Sequence, residues 1–289
     1  MNDKIFISNY ELINKIGSGS FGEVYLVENK IDKKKYAAKI EESHNKNRLK
    51  SEYNIYKKIN KDNQIDGIPK IYNFIQTQDY NIMVMELLGP CLENIFEQHE
   101  KKITLNSLFK IGLDMFTLIE HFHKRGFIHR DIKPGNFIFN YNKPYTKLYI
   151  MDFGLSKPYI IDGEHIEAKF DRSLIGTARY CSQNIHWGFE PSRRDDLESI
   201  CYILIYFFKG CLPWQGLKKD KNKTQVQKIG DKKNTVPTEI LCKDMPECFC
   251  KILDYVKSLK FEEKPDYKSI IALLNKDIQK LNITPTYEF

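Results

Sequence analysis

The sequence predicts an α+β chain in two lobes. A small β-rich amino-terminal lobe with one main helix is expected over about residues 1–86, a connecting stretch over about 86–90, and a larger, mainly helical lobe over about 91–289. Three observations lead there. Up to residue 85 the apolar residues fall mostly in short runs with strand propensity, whereas beyond residue 91 they recur at helical spacing. The glycine-rich run Gly17-Ser-Gly19-Ser-Phe-Gly22 separates two of the strand-like runs. Finally, His129-Arg-Asp-Ile-Lys-Pro-Gly-Asn136 is followed, sixteen residues after Asn136, by Asp152-Phe-Gly154. Either motif alone is weak; both in this order, after a glycine-rich loop and a strand lysine, are specific.

Composition sets the class. A chain of 289 residues, 42% hydrophobic and 29% charged, can bury a sizeable core and reads as a soluble globular protein. A formal charge of +7 raises a nucleic-acid reading, but the lysines are scattered as far as Lys280 without a dense basic run, the pattern of a solvated surface. Seven cysteines (91, 181, 201, 211, 242, 248, 250) form no C-x-x-C pair and have no matched histidine spacing. This suggests neither zinc nor a disulfide framework, and an intracellular location, cytoplasmic or nuclear. Met1-Asn-Asp-Lys-Ile5 has no apolar signal core, and the longest apolar run, Ile200–Phe208, is shorter than the ~20 residues of a membrane span, so a buried helix is expected there.

In chain order, Tyr10–Ile16, Val24–Val27 and Tyr36–Ile40 read as strands, the last after a polar turn at Asp32–Lys35. A Gly-x-Gly-x-x-Gly run opens a helix in dinucleotide-binding folds, but Glu23-Val-Tyr-Leu-Val27 has strand propensity, so a β-hairpin is expected. Its glycines would let backbone N–H groups approach phosphate oxygens; a hairpin without ligand is the plain alternative. Ala37 and Lys39 face the same side of their strand, which sets a small residue beside an adenine and an ammonium near phosphates. Arg48–Ile59 puts Glu52, Ile55, Tyr56 and Ile59 on one helical face. A carboxylate on that stripe needs a cation, for which Lys39 is the natural candidate, unless Glu52 lies at the surface.

Gly67-Ile-Pro69 ends this helical region, and strands Lys70–Gln76 and Tyr80–Met85 follow around the turn Thr77-Gln-Asp79. At Glu86-Leu-Leu-Gly-Pro90 the pattern changes from strands to helices. The Glu86 carbonyl and Leu88 amide there can bond an adenine edge, with Met85 behind it or simply in the core. Leu92–His99 and Leu105–Lys124 read as helices, the second stopped at Arg125-Gly126. His121 and His123 are taken as surface or packing residues, and His129 as packing and hydrogen-bonding.

The run from His129 to Asn136 with Asp152 supplies the groups that move the γ-phosphoryl of ATP: Asp131 to take a hydroxyl proton, Lys133 to steady the phosphoryl, Asn136 and Asp152 to hold Mg²⁺. By Asn136 the chain resembles a eukaryotic-type protein kinase. Further residues make it similar to the casein kinase 1 family: Ile16-Gly-Ser-Gly-Ser-Phe-Gly22, Met83-Val-Met-Glu-Leu-Leu-Gly-Pro90, Phe127-Ile-His-Arg-Asp-Ile-Lys-Pro134, Gly176-Thr-Ala-Arg-Tyr180, Ser192-Arg-Arg-Asp-Asp-Leu-Glu-Ser199, Leu212-Pro-Trp-Gln-Gly-Leu-Lys218 and Lys264-Pro-Asp-Tyr267. Where most kinases carry Ala-Pro-Glu this chain has Ser182-Gln-Asn184, and the casein kinase 1 group is similar in lacking that motif.

The resemblance implies a bilobal protein kinase fold, Ser/Thr specificity, MgATP with Mn²⁺ able to substitute, and acidic or already phosphorylated protein substrates. It also implies a monomer that needs no activation-segment phosphorylation. It assigns catalysis to Asp131, Lys133, Lys39 and Glu52, with the Thr177 hydroxyl closing the acceptor site. The nucleotide would lie against Ile16, Gly17, Ser18, Gly19, Ser20, Phe21, Gly22, Val24, Ala37, Lys39, Met85, Glu86, Leu88, Ile138 and Met151. Arg130, Arg172 and Arg179 would form an anion pocket, since guanidinium forks suit phosphate oxygens; internal salt bridging is the alternative, strongest for Arg130. Asp196 would be a buried carboxylate accepting catalytic-loop N–H bonds at the favourable end of a helix.

Two departures from the family pattern stand out. Gly135 occupies a place usually held by a residue with a side chain, often Asp, and could loosen Asn136. Gln225 stands where a lysine usually contributes to the anion pocket; Lys221 and Lys223 are the candidates to compensate. The sequence ends at Phe289, so autoinhibition by a long carboxy-terminal tail is not expected. The competing readings are a pseudokinase scaffold, which would have lost one of Lys39, Glu52, Asp131, Asn136 or Asp152, and a basic nucleic-acid binder, which would need a stripe of stacking aromatics. A kinase of small molecules is disfavoured by the Gly176–Tyr180 segment, suited to an extended polypeptide.

Overall fold

The computed structural model describes residues 6–19, 22–43, 48–61, 63–141, 145–218 and 222–289. The architecture is mixed α+β, and the chain falls into two compact units. One comprises the described residues up to Pro90 with Ile138–Gly154, the other Cys91–Phe137 with Leu155–Phe289. Ser20, Phe21 and Lys221, named above as candidates, lie outside the described residues.

The first unit is built on an antiparallel sheet of β1 (Phe6–Ile7), β2 (Tyr10–Gly19), β3 (Gly22–Asn29), β4 (Lys35–Glu42), β5 (Ile71–Gln76) and β6 (Tyr80–Met85), in the order β1-β2-β3-β4-β6-β5. Alternation along each strand sorts the side chains onto two faces. Tyr10, Val27, Tyr36, Ala38, Ile82 and Val84 pack into one apolar cluster. The register sets Val24 and Met83 on either side of Lys39, and Met85 beside Ala37, which puts these residues on the other face. Helix α1 (Arg48–Ile59) turns Leu49, Glu52, Tyr56 and Ile59 inward. The Glu41 carboxylate of β4 accepts the Leu49 N–H at 3.0 Å, satisfying a first-turn donor where the helix dipole favours negative charge. Strands Leu148–Ile150, Phe137–Asn140 and Leu88–Cys91 form a smaller sheet in that order, which delivers the chain to Asp152.

The second unit is mainly helical: α2 (Leu92–Gln98), α3 (Leu105–Lys124), α4 (Gln183–His186), α5 (Arg193–Lys209), α6 (Gln225–Thr235), α7 (Thr238–Leu241), α8 (Glu247–Ser258) and α9 (Tyr267–Lys280). Thr104 caps α3 by accepting the Ser107 N–H at 3.1 Å, and Gly126, at φ +80°, ends it. A Ser192–Asp195 capping box starts α5 and a left-handed Gly210 closes it. From Leu197 to Phe207 α5 is buried on every side, which is why its sequence is apolar all round rather than striped. It packs against α3 and α8. The catalytic-loop sequence lies between the short strand Phe127–Ile128, paired with Lys157–Pro158, and a 3-10 turn at Pro134–Asn136.

Candidate active site

In the first unit, Lys39 and Glu52 are 4% and 1% exposed. The Lys39 Nζ donates to Glu52 Oε2 at 2.7 Å and to Asp152 Oδ1 at 3.0 Å, so residues far apart in sequence meet at one ammonium. Burial works against that charge, but the two carboxylates outweigh it and hold the Lys39 pKa above its ordinary value. Tyr56 tilts against Phe153, their centroids 4.5 Å apart, seating the segment that carries Asp152 on α1. Asp152 itself has φ +68°, a conformation that costs a non-glycine residue energy and persists where surrounding contacts impose it.

The expected nucleotide residues that are described all belong to this unit. Gly17 and Ser18 of β2 lie opposite Val24 and Glu23 of β3, and Gly19 opposite Gly22, so the described glycines sit on paired antiparallel strands continuous with the sheet. At Gly22 a Cβ would collide with the Ile40 carbonyl, which explains a glycine there. Ile16 is exposed, Val24 half-buried, and Ala37 and Met85 buried. Glu86 is fixed by its neighbours: its N–H donates to the Lys70 carbonyl at 2.8 Å, and its carboxylate accepts from the Lys70 N–H at 3.1 Å and the Tyr149 hydroxyl at 3.3 Å. Leu88, Ile138 and Met151 are half-buried.

In the second unit, Asp131 is held on both oxygens. Thr177 Oγ1 donates to Oδ1 at 2.8 Å and Lys133 Nζ to Oδ2 at 2.6 Å. Asn136 Nδ2 donates to the Asp131 carbonyl at 2.9 Å, which leaves its amide oxygen as the acceptor end of that side chain. Asp196, at the start of α5, accepts the His129 and Arg130 N–H groups at 2.7 and 2.9 Å. Its burial would raise its pKa, but these bonds and the one from His123 Nε2 at 2.9 Å hold it below the usual carboxylate range. Together they keep Arg130 at φ +67° and so set the direction in which Asp131 leaves the loop.

The three arginines divide. Arg130 Nε donates to the Leu155 carbonyl at 2.6 Å. Arg172 Nε reaches Glu190 Oε2 at 3.1 Å, and Lys157 Nζ reaches the other oxygen at 2.6 Å. Burial lowers the Arg130 pKa against the pull of Glu190 and Asp196, while Lys157 and Arg172 share the buried Glu190 carboxylate. Arg179 stands apart: its guanidinium lies over the Tyr180 and Tyr206 rings, 4.0 Å from Glu93, with its side chain 41% exposed.

A family model described as protein kinase domain matches residues 10–280. The chain belongs to the protein kinase family. As a kinase it acts by phosphoryl transfer from ATP to protein, with a divalent metal. In chemistry, the Asn136 amide oxygen of the second unit and the Asp152 carboxylate of the first are each hard oxygens of the type such a metal takes. Among the described residues no group of three His, Cys, Asp or Glu side chains could hold a metal. Gly135 of the kinase loop has no left-handed φ, and open space surrounds the place its Cβ would occupy. Gly135→Ala is therefore expected to stabilise the kinase by about 0.4–1 kcal/mol through the unfolded chain. A raised urea midpoint with unchanged activity is the expected reading; a lowered midpoint would show that the turn requires glycine.

Several contributors escaped sequence reasoning. His123 lies on the apolar stripe of α3, and a histidine there signals a need for partners; it finds Asp196 and, through Nδ1, the Tyr267 hydroxyl at 2.6 Å. Glu190 sits in an irregular segment and Lys157 in a two-residue strand, where no periodicity points to them. Gln225 opens α6 on the surface, and Lys223 pairs with Asp231 at 2.6 Å.

Proposed function

We propose that this kinase is Ser/Thr-specific and of casein kinase 1 type, phosphorylating acidic or already phosphorylated segments of protein substrates with MgATP inside the cell. The observation that carries the reading is the Asp131 carboxylate, gripped by Lys133 on one oxygen and by the Thr177 hydroxyl of the Gly176–Tyr180 segment on the other. In this reading Asp131 orients the acceptor hydroxyl and takes its proton as the oxygen attacks the γ-phosphorus. The bond to the β–γ bridging oxygen breaks in line, without a covalent enzyme intermediate. Lys133 steadies the charge on the phosphoryl in flight. Lys39, its charge secured by Glu52, orients the α and β phosphates. Asn136 and Asp152 would hold Mg²⁺, which would supply neutralisation of the phosphate oxygens.

Charge supports the substrate preference. Around Glu190 two cations, Lys157 and Arg172, meet one carboxylate, an excess of positive charge that suits an added anion. Arg179 donates to the Tyr180 hydroxyl at 3.3 Å and lies 4.0 Å from Glu93, and with its side chain 41% exposed it remains accessible to a substrate carboxylate or phosphate. Arg179→Ala is expected to lower phosphorylation of acidic and primed peptides roughly ten- to a hundredfold more than of neutral ones, the size of losing one charge-assisted hydrogen bond at about 1.5–3 kcal/mol. A positional-scanning peptide library, with and without phosphoserine, tests the whole reading. Uniform acceptance at every upstream position, or transfer to tyrosine alone, would overturn it.

A further inference from the structure

Helix α6 is polar along its length, and its buried residues are Gly230 and Lys233. Gly230 lets the helix close on α4, since a Cβ there would come within 3.0 Å of the His186 Cβ. One turn further, Lys233 is 1% exposed. A buried ammonium needs hydrogen-bonding partners, and among the described residues no carboxylate lies at ion-pair distance from it. Its Nζ donates instead to the Ala178 carbonyl at 2.9 Å and the Cys181 carbonyl at 2.5 Å, between the Tyr202 and Trp214 rings at 5.0 and 5.1 Å from their centroids.

Those carbonyls belong to the segment that carries Thr177. At Gly176, with φ +82°, a Cβ would collide with the Arg130 carbonyl, so the segment is pressed against the catalytic loop. The Thr177 carbonyl accepts the Tyr180 and Cys181 N–H groups, both at 2.9 Å, folding residues 177–181 into one tight turn. Trp214 Nε1 donates to the Arg179 carbonyl at 2.8 Å, and His186 Nε2 lies 3.2 Å from the Ala178 carbonyl. The turn is thus pinned to Asp131 on one side and to α6 on the other.

Resting on the kinase reading, we propose that Lys233 is a positioning residue for phosphoryl transfer to protein: its ammonium fixes the Gly176–Cys181 turn and, through Thr177, the Asp131 carboxylate and the seat of the acceptor. It touches neither nucleotide nor acceptor hydroxyl. Burial brings its pKa down to about 8, against the pull of Cys181 and Glu198. Of the groups facing it from the surrounding elements, Cys181, Tyr202 and His186 are shifted away from that value. Burial pushes the Cys181 thiol up to about 11 and the Tyr202 phenol well above its ordinary value, and takes His186 down to about 4. Glu198 is engaged by the Tyr202 hydroxyl at 2.6 Å and the Gln183 N–H at 2.9 Å.

The linkage separates function from folding. In the unfolded chain Lys233 keeps its proton to its ordinary 10.5, in the folded one only to about 8, so stability from this group rises between those values as pH increases. Over the same interval the charge that strengthens its two hydrogen bonds is lost. The wild-type kinase should therefore lose kcat/KM for a serine peptide along an alkaline limb centred near pH 8, with ATP affinity unchanged and no loss of fold. In Lys233→Arg, whose guanidinium stays charged, that limb should move out of range. In Lys233→Met, peptide kcat/KM should fall roughly tenfold or more and the Tyr180 and Cys181 amides should exchange hydrogen faster by a similar factor, as two lost hydrogen bonds require.

The proposal is overturned if those amides exchange as in the wild type, or if peptide and nucleotide parameters fall together. Should Lys233→Met not fold, the wild-type profile decides alone: a limb near pH 8 in the peptide term only supports the role, and its absence refutes it. A wild-type protein that phosphorylated no peptide would instead refute the kinase reading, and amide exchange would still report whether Lys233 holds the turn.

Discussion

Asp131→Asn is expected to lower phosphoryl transfer by about 10²–10⁴-fold, the contribution of a positioned general base, while ATP affinity stays unchanged. The substitution keeps the shape of the side chain but leaves one acceptor oxygen where there were two. Lys133 can only donate, so the remaining oxygen must turn to it, and the new amide must face the Thr177 hydroxyl, which can rotate and accept. The turn and loop should therefore stay folded, with melting temperature close to wild type, and only the proton acceptor is lost. Single-turnover rates and nucleotide binding, measured separately, check this. An equal loss of both would make the aspartate a structural residue.

Lys39→Met should cost both activity and stability, for separable reasons. Removing the ammonium leaves Glu52, 1% exposed, as an uncompensated buried carboxylate, and breaking one side of a buried pair costs about 3–5 kcal/mol. Transfer should also drop roughly 10²-fold or more, the size of losing a preorganised contact to developing charge. The double variant Lys39→Met, Glu52→Leu removes the stranded carboxylate, so urea unfolding should recover most of the lost stability, since well-packed apolar residues often replace a buried pair without cost. Activity should not return. A single variant as stable as wild type would mean that the pair is not buried in solution, and a double variant with restored activity would reduce Lys39 to a structural prop.

Much of this architecture was legible along the chain because its causes are local. Strand alternation, the polar turns, the glycine stop after α3 and the apolar α5 each depend on neighbours within a few residues. The Lys39–Glu52 pair was also accessible, because a carboxylate on an apolar helical stripe announces that a cation must reach it. Other features left no such trace. Lys157 meets Glu190 across 33 residues, Lys233 meets Ala178 across 55 and His123 meets Asp196 across 73. Periodicity reports which face of an element turns inward, not what it will find there.

By itself the sequence indicated most elements of the first unit, a protein kinase, and the chemical parts: three carboxylates, two lysines and an amide of the types that phosphoryl transfer from ATP requires. The roles of Thr177 beside Asp131 and of Asp196 beneath the catalytic loop were expected from the resemblance; only the tertiary structure decided that Lys133 takes the second Asp131 oxygen, that His123 joins Asp196, and that a lysine on a polar helix is buried under the acceptor segment. The physical reason is that a buried charge is tolerable only where carbonyls or opposite charges converge on it, and that convergence comes from elements brought together by folding.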